Sequence, residues 1–407
     1  MDASPSPPDS EHPLWAVVPL SDYAVPSSPD QHVVRKKWAA FRSLLRPQED
    51  EAQTPVRAEA DLRALAGVRL ENLVPPIDWA QAVAALDQVL AGDAERPLPG
   101  SSVRFLIGQP HCAHVEVLTH WANAHGARVL APPRPEAVIS GDEQWLAELS
   151  GPEGPWVLPA LERCFLRHAA GLALGRQILG RAASGRLGAG LIGCDSWAWA
   201  YLQRVFPVPQ LPALTLQAFD GRRLTELFLR LSLSNGAGAV RFRNARTGAS
   251  VLPDPEALES GSFDVSRELR QLAAHCRGNP GIAWRYWRKR LRAEPESEEA
   301  ERSSEQEHSP AEWVVWLADL IEEQVPPAEQ ADDAVLILHA LLLHNGLPDW
   351  LLPELLPLPQ AQIASLLWRM EALGIVESAD ERWRVAALGY ATARRMLRER
   401  SYLVDAF

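Results

Sequence analysis

The stretch FLIGQPHCAHVEVLTHW, residues 105–121, has residue types and a spacing typical of a phosphate-binding loop. An apolar run ends at Gly108, a short polar segment follows, and a helical pattern then begins. In the motif G-x-x-x-x-G-K-[ST], backbone N–H groups cradle the phosphates, the lysine pairs with them, and the hydroxyl ligates Mg²⁺. In the register that starts at Gly108, the last three positions of the motif hold Ala113, His114 and Val115.

Each of these replacements removes a property that a bound triphosphate needs. An alanine at position 113 does not easily adopt a positive φ. His114 is shorter than lysine, and we expect it to be mostly neutral at pH 7. Val115 has no oxygen for a metal, and Pro110 removes one N–H group from the loop. We therefore expect this loop not to bind MgATP in the ordinary way.

The segment WVLPALERCFLRH, residues 156–168, is placed where a hydrolytic enzyme of this type carries acidic residues that order Mg²⁺ and water. It has Pro159 and Ala160 at the expected positions, and the nearest carboxylate, Glu162, comes two residues later. Arginines are close to Glu162 in the sequence. We therefore interpret Glu162 as one half of a surface ion pair on a solvated helix face.

The hydrophobic pattern divides the chain into five parts. Residues 1–60, rich in proline, serine and charge, are predicted to be largely disordered. Strand and helix patterns alternate over 61–213, which predicts a parallel sheet flanked by helices. Residues 214–292 are predicted to be mostly helical, with one hairpin near its middle, and 293–310 to be a charged linker. Residues 311–407 have a compact helical pattern that ends in a helix, a short hairpin and a helix.

This order of segments resembles the AAA+ and STAND class of P-loop ATPases, especially the branch similar to bacterial ATPases and archaeal origin-recognition proteins that ends in a winged helix. The resemblance covers about residues 65–407 and implies a P-loop NTPase-like core, a helical lid and a C-terminal winged helix. It places Asp195, in LIGCDSWAWAYL, at the polar sensor position after the fourth strand. It also places Arg277 and Arg285, in AAHCRGNPGIAWRYWRKRL, where lid arginines approach an anion; the alternative is that they pair with carboxylates at a helix end.

The resemblance implies a pseudo-ATPase, because the departures from the family pattern fall on the nucleotide-binding and catalytic positions themselves. No residue is expected to be catalytic, and no cofactor is expected. The degenerate nucleotide-site positions are Gly108, Ala113, His114, Val115, Pro159, Ala160, Glu162, Asp195, Arg277 and Arg285.

Four histidines lie within 15 residues, close to Cys112 and Glu116, and such a group suits zinc. They are His111, His114, His120 and His125. Their spacing matches neither a zinc finger nor HExxH, and no second ligand pair follows, so no metal is expected. A nucleophilic pair of Cys112 and His114 would need an orienting residue and an oxyanion hole, and the sequence identifies neither.

The charge of the chain argues against nucleic acid as the partner. The formal net charge is −12, and residues 310–407 hold seven arginines and fifteen acidic residues, a balance of 7 − 15 = −8. The candidate recognition helix PQAQIASLLWRMEAL has one arginine, Arg369, among apolar side chains, whereas DNA readers need several contacts to phosphate. DNA contact through the arginines of the last helical segment is the remaining alternative; they are Arg394, Arg395, Arg398 and Arg400.

Protein partners are therefore expected. The candidate docking elements are the apolar segment Pro13–Pro26, the basic amphipathic segment Val33–Leu45, the winged helix and the tail Arg400–Phe407. For the two N-terminal segments the alternative is that they pack against the body of the protein. Four cysteines without a CxxC pair suit a reducing cytosol. Neither a secretory signal nor a membrane span is evident, and an oligomer is compatible with all of this.

Three functions follow from these observations. The first is a non-catalytic AAA+-like scaffold or adaptor for other proteins in the cytoplasm. The second is a divergent ATPase that binds ATP weakly, through backbone groups and lid arginines, and acts as a regulatory switch in an oligomer. The third is a DNA-associated regulator, which the charge disfavours.

Overall fold

A computed structural model describes most of the chain. The described residues are 13–26, 56–58, 61–95, 103–141, 143–149, 154–207, 211–234, 240–259, 262–294, 313–319, 324–326 and 331–407. The predicted docking segment Val33–Leu45 and most of the predicted linker 293–310 lie outside these residues. No helix in the described part of the chain combines the length and the apolar character that crossing a membrane requires.

The described residues form strands and helices in the following order. The strands are β1 (Val17–Pro19), β2 (Arg63–Ala64), β3 (Val103–Gly108), β4 (Arg128–Val129), β5 (Trp156–Leu158), β6 (Gly190–Asp195), β7 (Ala213–Leu216), β8 (Val240–Asn244), β9 (Leu291–Ala293), β10 (Trp313–Leu317), β11 (Val376–Ala379) and β12 (Arg382–Val385). The helices are α1 (Gly67–Leu73), α2 (Ala80–Glu95), α3 (His114–His125), α4 (Pro135–Ser140), α5 (Glu143–Leu149), α6 (Ala173–Ala183), α7 (Ser196–Val205), α8 (Gly221–Leu233), α9 (Pro255–Glu259), α10 (Arg267–His275), α11 (Pro280–Arg290), α12 (Ala331–Leu343), α13 (Leu352–Leu355), α14 (Gln360–Ala372) and α15 (Tyr390–Glu399).

The main sheet has six strands in the order β1, β7, β3, β6, β5, β4. Neighbouring strands from β7 to β4 are parallel, and the edge strand β1 pairs with β7 in the antiparallel sense. β3 and β6 are buried along almost their whole length, because their continuous apolar runs suit strands that are covered on both faces. Helices α3 and α7 pack against these two strands. The predicted α/β class is confirmed, with a sheet that is mixed at one edge.

A second sheet was not expected from the sequence. Its order is β2, β9, β10, β8, and β8 pairs with β10 in parallel. β8 begins the predicted hairpin, since Val251 N–H donates to Phe242 O at 2.8 Å. The helical interpretation of residues 311–407 was wrong for β10, WVVWL. A five-residue apolar run does not show its period, and the partner strand β8 lies about seventy residues earlier in the chain.

Residues 331–407 pack on the main sheet through α12, which contacts α7 and α15. Most of α12 is buried, as expected for a helix that is apolar nearly all round. The order of helix, hairpin and helix expected near the C-terminal end is present as α14, β11–β12 and α15. A continuous hydrophobic cluster runs from the main sheet into these elements.

The N-terminal segment Pro13–Pro26 packs against the body of the protein, which is the second of its two interpretations. It contributes β1 to the main sheet. Trp15 is buried, with its ring 5.1 Å from the ring of Trp79 and 4.7 Å from that of Phe219. Burial of a tryptophan of this size contributes more to the docking of the segment than the three-residue strand does.

Candidate functional site

The candidate site lies at the carboxyl end of β3, which stands between β7 and β6 in the middle of the main sheet. The loop 109–113 joins β3 to α3, so the expected strand, loop and helix are present. In open parallel sheets, ligands bind outside the carboxyl ends of the strands, where the connections on either side diverge. The neighbouring strands β6 and β5 end at the same edge.

Two residues of this loop adopt the left-handed backbone conformation without being glycine. His111 has φ 66° and Ala113 has φ 57°, a conformation that costs an L-residue roughly 1–2 kcal/mol. The expectation that Ala113 would not take a positive φ was therefore wrong. Strain of this kind persists where the surrounding structure fixes the backbone more firmly than the residue itself does.

Replacing Ala113 with glycine should raise the free energy of unfolding by about 0.5–1 kcal/mol, because glycine adopts this conformation without a steric cost. The matched control is Ala124→Gly at an exposed position within α3. It should lower the free energy of unfolding by a similar amount, since the backbone there is helical. Urea denaturation of both variants measures the two changes. Equal destabilisation at both positions would contradict the left-handed loop.

His114, Glu162 and Asp195 meet below the loop, and all three are buried. His114 Nε2 lies 3.8 Å from Glu162 Oε1. The backbone N–H of Asp195 donates to Glu162 Oε2 at 3.1 Å. Asp195 also caps α7, where its Oδ1 accepts from Trp197 N–H at 2.9 Å. These three residues lie close together because β3, β6 and β5 are neighbours in the sheet. Asp195 ends β6, Glu162 follows β5, and His114 begins the helix that follows β3.

The interpretation of Glu162 as a surface carboxylate was wrong. It lies in the short turn Leu161–Arg163 and is fully buried, while Arg163 is exposed. A signal for this burial is present in the sequence, since apolar residues surround Glu162 in PALERCFL. Pro159 and Ala160 occupy the expected acidic positions just before this turn, and neither side chain has a carboxylate. Glu162 is therefore the acidic residue of the site despite its later position.

His114, Glu162 and Asp195 shift one another's pKa values. Burial alone would lower the pKa of His114, but Cys112 and the carboxylate of Glu162, 3.8 Å from Nε2, raise it well above its usual value. This direction runs against the expectation of a mostly neutral His114. Burial opposes ionisation of Glu162, but its pKa is lowered because His114 and backbone N–H groups stabilise the carboxylate. Burial and the charge of Glu162 raise the pKa of Asp195.

The stability of the fold should therefore fall as the pH rises above about 6.5. A raised pKa in the folded state means that the contribution of His114 is complete below its unfolded pKa, near 6.5. That contribution is lost as the pH passes through the higher folded value. Glu162 acts in the opposite sense, and its contribution is lost only below about pH 4.5. We expect the free energy of unfolding, measured with urea from pH 6 to pH 9, to fall less steeply in His114→Gln. Parallel curves for the two proteins would contradict this assignment.

The segment before α11 closes the loop from above. Asn279 Nδ2 donates to the carbonyl oxygen of Pro110 at 2.7 Å. Gly281 lies so close to His111 that a Cβ at position 281 would collide with the His111 carbonyl oxygen. On the inner side, a Cβ at Gly108 would lie 2.5 Å from His114 Nδ1. Protein atoms therefore pack against the loop from both directions.

The N-terminal segment and the tail also reach the loop. Gln109 Nε2 donates to Tyr23 Oη at 2.6 Å, and the ring of Tyr23 lies 4.5 Å from that of Phe407. Arg277 Nε donates to the carbonyl oxygen of Phe407 at 2.6 Å. Arg277 is therefore engaged by the tail and is not directed at an anion beside the loop.

The tail Arg400–Phe407, expected to dock on a partner, binds instead to its own chain. Asp405 is buried and forms an ion pair with Arg394 and a hydrogen bond with the hydroxyl of Ser196. Sequence reasoning missed this pair, because residues 394 and 405 are separated by the end of α15 and neither stands in a motif. Burial of Arg394 also removes it from the arginines proposed for DNA.

A cavity of about 470 Å³ borders the loop on the side of α11. His114 and Val115 line its inner wall. The rest of the lining includes two tryptophans, three arginines and two carboxylates: Trp79, Trp284, Arg163, Arg285, Arg384, Glu116 and Asp380. Of the two predicted lid arginines, Arg285 thus reaches the site.

The residues at the loop do not fit a magnesium triphosphate. The imidazolium of His114, which replaces the lysine, is engaged by Glu162. Glu162, the acidic residue of the site, is itself engaged by His114 and by Asp195 N–H. Val115 supplies no hydroxyl for the metal. A triphosphate beside Gly108 would therefore lie close to the buried carboxylate of Glu162. The Mg²⁺ ion that normally screens the repulsion between such a carboxylate and the phosphates has no hydroxyl ligand here.

The clustered histidines have separate roles. His111 Nε2 donates to the carbonyl oxygen of Val385 at 2.9 Å, and His125 pairs with Asp87 at 3.0 Å. His120 and Glu116 are exposed on α3. Within the described ranges, no group of three or more His, Cys, Asp or Glu side chains is arranged to hold a metal ion.

Comparisons with known proteins give weak overlaps with three archaeal structures. The Walker-type ATPase PABY2304 of Pyrococcus abyssi is 12% identical, with 79% of this chain and 96% of that chain covered and a TM-score of 0.29. Cdc6p from Pyrobaculum aerophilum is 13% identical, with 83% and 99% covered and a TM-score of 0.28. The Aeropyrum pernix ORC1 protein, solved in complex with DNA, is 14% identical, with 84% and 100% covered and a TM-score of 0.32.

No protein-family model and no curated protein matches the sequence. All three TM-scores lie below 0.5, so these overlaps establish neither a family nor a function.

Proposed function

We propose that this chain is a cytoplasmic, non-catalytic scaffold of the AAA+ type that binds other proteins and not nucleotide. The observation that carries the proposal is the buried pair of His114 and Glu162. The pair stands where the P-loop ATPases have a lysine for phosphate and a carboxylate for magnesium and water. The strand, loop and helix around it support the fold that the sequence resembles.

The energetics of the pair support the loss of nucleotide binding. Two unit charges about 4 Å apart attract each other by about 4 kcal/mol at the effective dielectric constant that suits protein sites. Turning His114 toward a phosphate would forfeit this attraction. It would also leave Glu162 buried and charged beside the incoming anion, which adds a further penalty of several kcal/mol.

A scaffold role is supported by the way in which the loop is held. The N-terminal segment, the residues before α11, the hairpin β11–β12 and the tail all contact the loop 109–113 or its neighbours. In a working ATPase these elements move with the bound nucleotide. Here these elements bind the loop directly, as in the hydrogen bond that Asn279 Nδ2 donates to the carbonyl oxygen of Pro110.

Calorimetric titration with ATP and ADP, each with and without Mg²⁺, tests the proposal. We expect no saturable heat up to millimolar nucleotide in any of the four titrations. Saturable binding in the micromolar range would show that the loop or the neighbouring cavity still holds nucleotide and would refute the non-binding scaffold.

The second candidate is a nucleotide-responsive switch, and the cavity beside the loop favours it. Trp79 and Trp284 offer flat surfaces to a base, and Arg163 and Arg285 offer charge to phosphates. Arg384 pairs with Glu377 at 2.7 Å, and two carboxylates, Glu116 and Asp380, share the lining. If nucleotide binds by this route, Arg285→Gln should weaken binding about tenfold. His114→Gln should have a smaller effect, since the loop would not hold the phosphates. The opposite ranking would locate the nucleotide on the loop.

Two of the four arginines named for the third candidate, a DNA-associated regulator, are engaged within the chain. Arg394 is buried against Asp405, and Arg400 pairs with Asp332 at 2.7 Å. Trp368 on α14 is a large apolar side chain with about two thirds of its surface accessible. An aromatic of this exposure on a helix with one arginine suits a protein surface better than a phosphate backbone.

A further inference from the structure

A second cavity lies at the junction between the main sheet and the C-terminal elements, and we call it the arginine cavity. It is shallow and open to solvent, with a volume of about 450 Å³. Four parts of the chain meet there: the loop that follows Glu162, helix α7, helix α12 and the tail. The polar and aromatic side chains of its lining include Arg167, Tyr201, Arg204, His339, Arg400 and Tyr402.

The charge around this cavity is one-sided. Three guanidinium groups line it, and the lining side chains include no carboxylate in the part of the chain that the structure describes. Arg400 pairs with Asp332 at 2.7 Å, but Asp332 is almost fully exposed, so this ion pair neutralises little. Three cations facing one cavity are unusual in a chain of net charge −12, and such a cavity attracts anions.

His339 adds a buried donor to the lining. Arg167 Nη1 donates to His339 Nδ1 at 3.0 Å, which leaves the ring proton on Nε2. Nε2 is buried and has no hydrogen-bond partner among the described residues. Burial and the charge of Arg167 lower the pKa of His339 to about 4, so the ring is neutral at pH 7 and Nε2 remains a donor. A buried donor without an acceptor costs free energy, and His339 carries this one beside the three guanidinium groups of the lining.

We propose that the arginine cavity binds a compact molecule through an oxyanion, that is, a phosphate or a carboxylate group. Arg167 and Arg204 would supply charge-assisted hydrogen bonds to the oxyanion, which are stronger than hydrogen bonds between neutral groups. The hydroxyl groups of Tyr201 and Tyr402 can donate as well, and the Tyr402 ring packs edge-on against His339 at 5.1 Å. This inference goes beyond the proposed scaffold role and does not depend on it.

Binding here has a structural consequence. Arg167 and Tyr201 belong to the main-sheet part of the chain, whereas His339, Arg400 and Tyr402 belong to the C-terminal part. An anion between them would join the two parts and hold the tail in place. The ligand would then stabilise the folded chain in proportion to its concentration, as any ligand that binds only the folded state does.

Calorimetric titration of the full chain with inorganic phosphate, and separately with malonate, tests the proposal. Saturable binding of phosphate identifies a phosphate ligand, and saturable binding of malonate alone identifies a carboxylate ligand. We expect Arg167→Gln/Arg204→Gln to lower the affinity at least about tenfold, since two charge-assisted hydrogen bonds are lost. The matched control is Arg186→Gln, an exposed arginine away from the cavity, which should bind like the wild type.

A second measurement keeps the result interpretable if the double variant folds poorly. Arg204→Gln alone changes an exposed side chain on α7 and should fold normally. The binding anion should raise the melting temperature of the wild type and of Arg186→Gln, and raise it clearly less in Arg204→Gln. Absence of saturable binding for both anions would overturn the proposal, and so would equal affinities in the wild type and the arginine variants.

Discussion

Replacing His114 with leucine should lower the free energy of unfolding by about 3–5 kcal/mol, because the change leaves Glu162 charged, buried and without its cation. The double variant His114→Leu/Glu162→Leu should recover much of this loss, since two apolar side chains of similar volume can fill the same space. Urea denaturation of the wild type, both single variants and the double variant completes the cycle.

The cycle separates a coupled pair from two independent core residues. If His114 and Glu162 act as a pair, the double variant is more stable than the sum of the two single losses predicts. Val117→Ala, a change at another buried position of α3, is a control for simple loss of packing and should add to Glu162→Leu without coupling. Additive losses for His114 and Glu162 would show that the pair does not exist in solution.

Replacing Arg394 with methionine should have a comparable effect at the tail, with a loss of about 3–5 kcal/mol, because Asp405 is then left buried without its cation. We also expect the tail to be released, so that protease cleaves after Arg400 at concentrations that leave the wild type intact. Arg398→Met is the matched control, since Arg398 lies on the exposed side of α15. It should change stability by no more than about 0.5 kcal/mol.

Release of the tail should also speed the hydrogen exchange of amides in the loop 109–113. Phe407 contacts Tyr23, and Tyr23 accepts a hydrogen bond from Gln109. Faster hydrogen exchange of the loop amides in Arg394→Met than in Arg398→Met would confirm this path. Equal exchange, together with an uncleaved tail, would show that the ion pair does not hold the tail.

The parts of the fold that the sequence predicts are those with a strong local pattern. β3, the loop and α3 follow from an apolar run, a glycine and a helical period within seventeen residues, FLIGQPHCAHVEVLTHW. The replacement of the lysine and the hydroxyl by His114 and Val115 is likewise local. β10 could not be predicted in this way, because its pairing with β8 depends on residues that are far apart in the chain.

The parts of the site that the sequence does not predict depend on the order of strands in the sheet. Glu162 reaches His114 because β6 alone separates β5 from β3, and the linear sequence does not contain that order. Ala113 takes its left-handed conformation because Asn279 and neighbouring residues hold the loop. The same holds for Asp405 and Arg394, whose pairing requires the tail to turn back over α15.

A crystal structure determined from crystals grown with ATP and Mg²⁺ tests the central claim most directly. The account predicts that His114 and Glu162 remain in contact and that no triphosphate lies beside Gly108. Clear density for a triphosphate on the loop, with His114 turned toward it and a metal ion beside Glu162, would contradict the account.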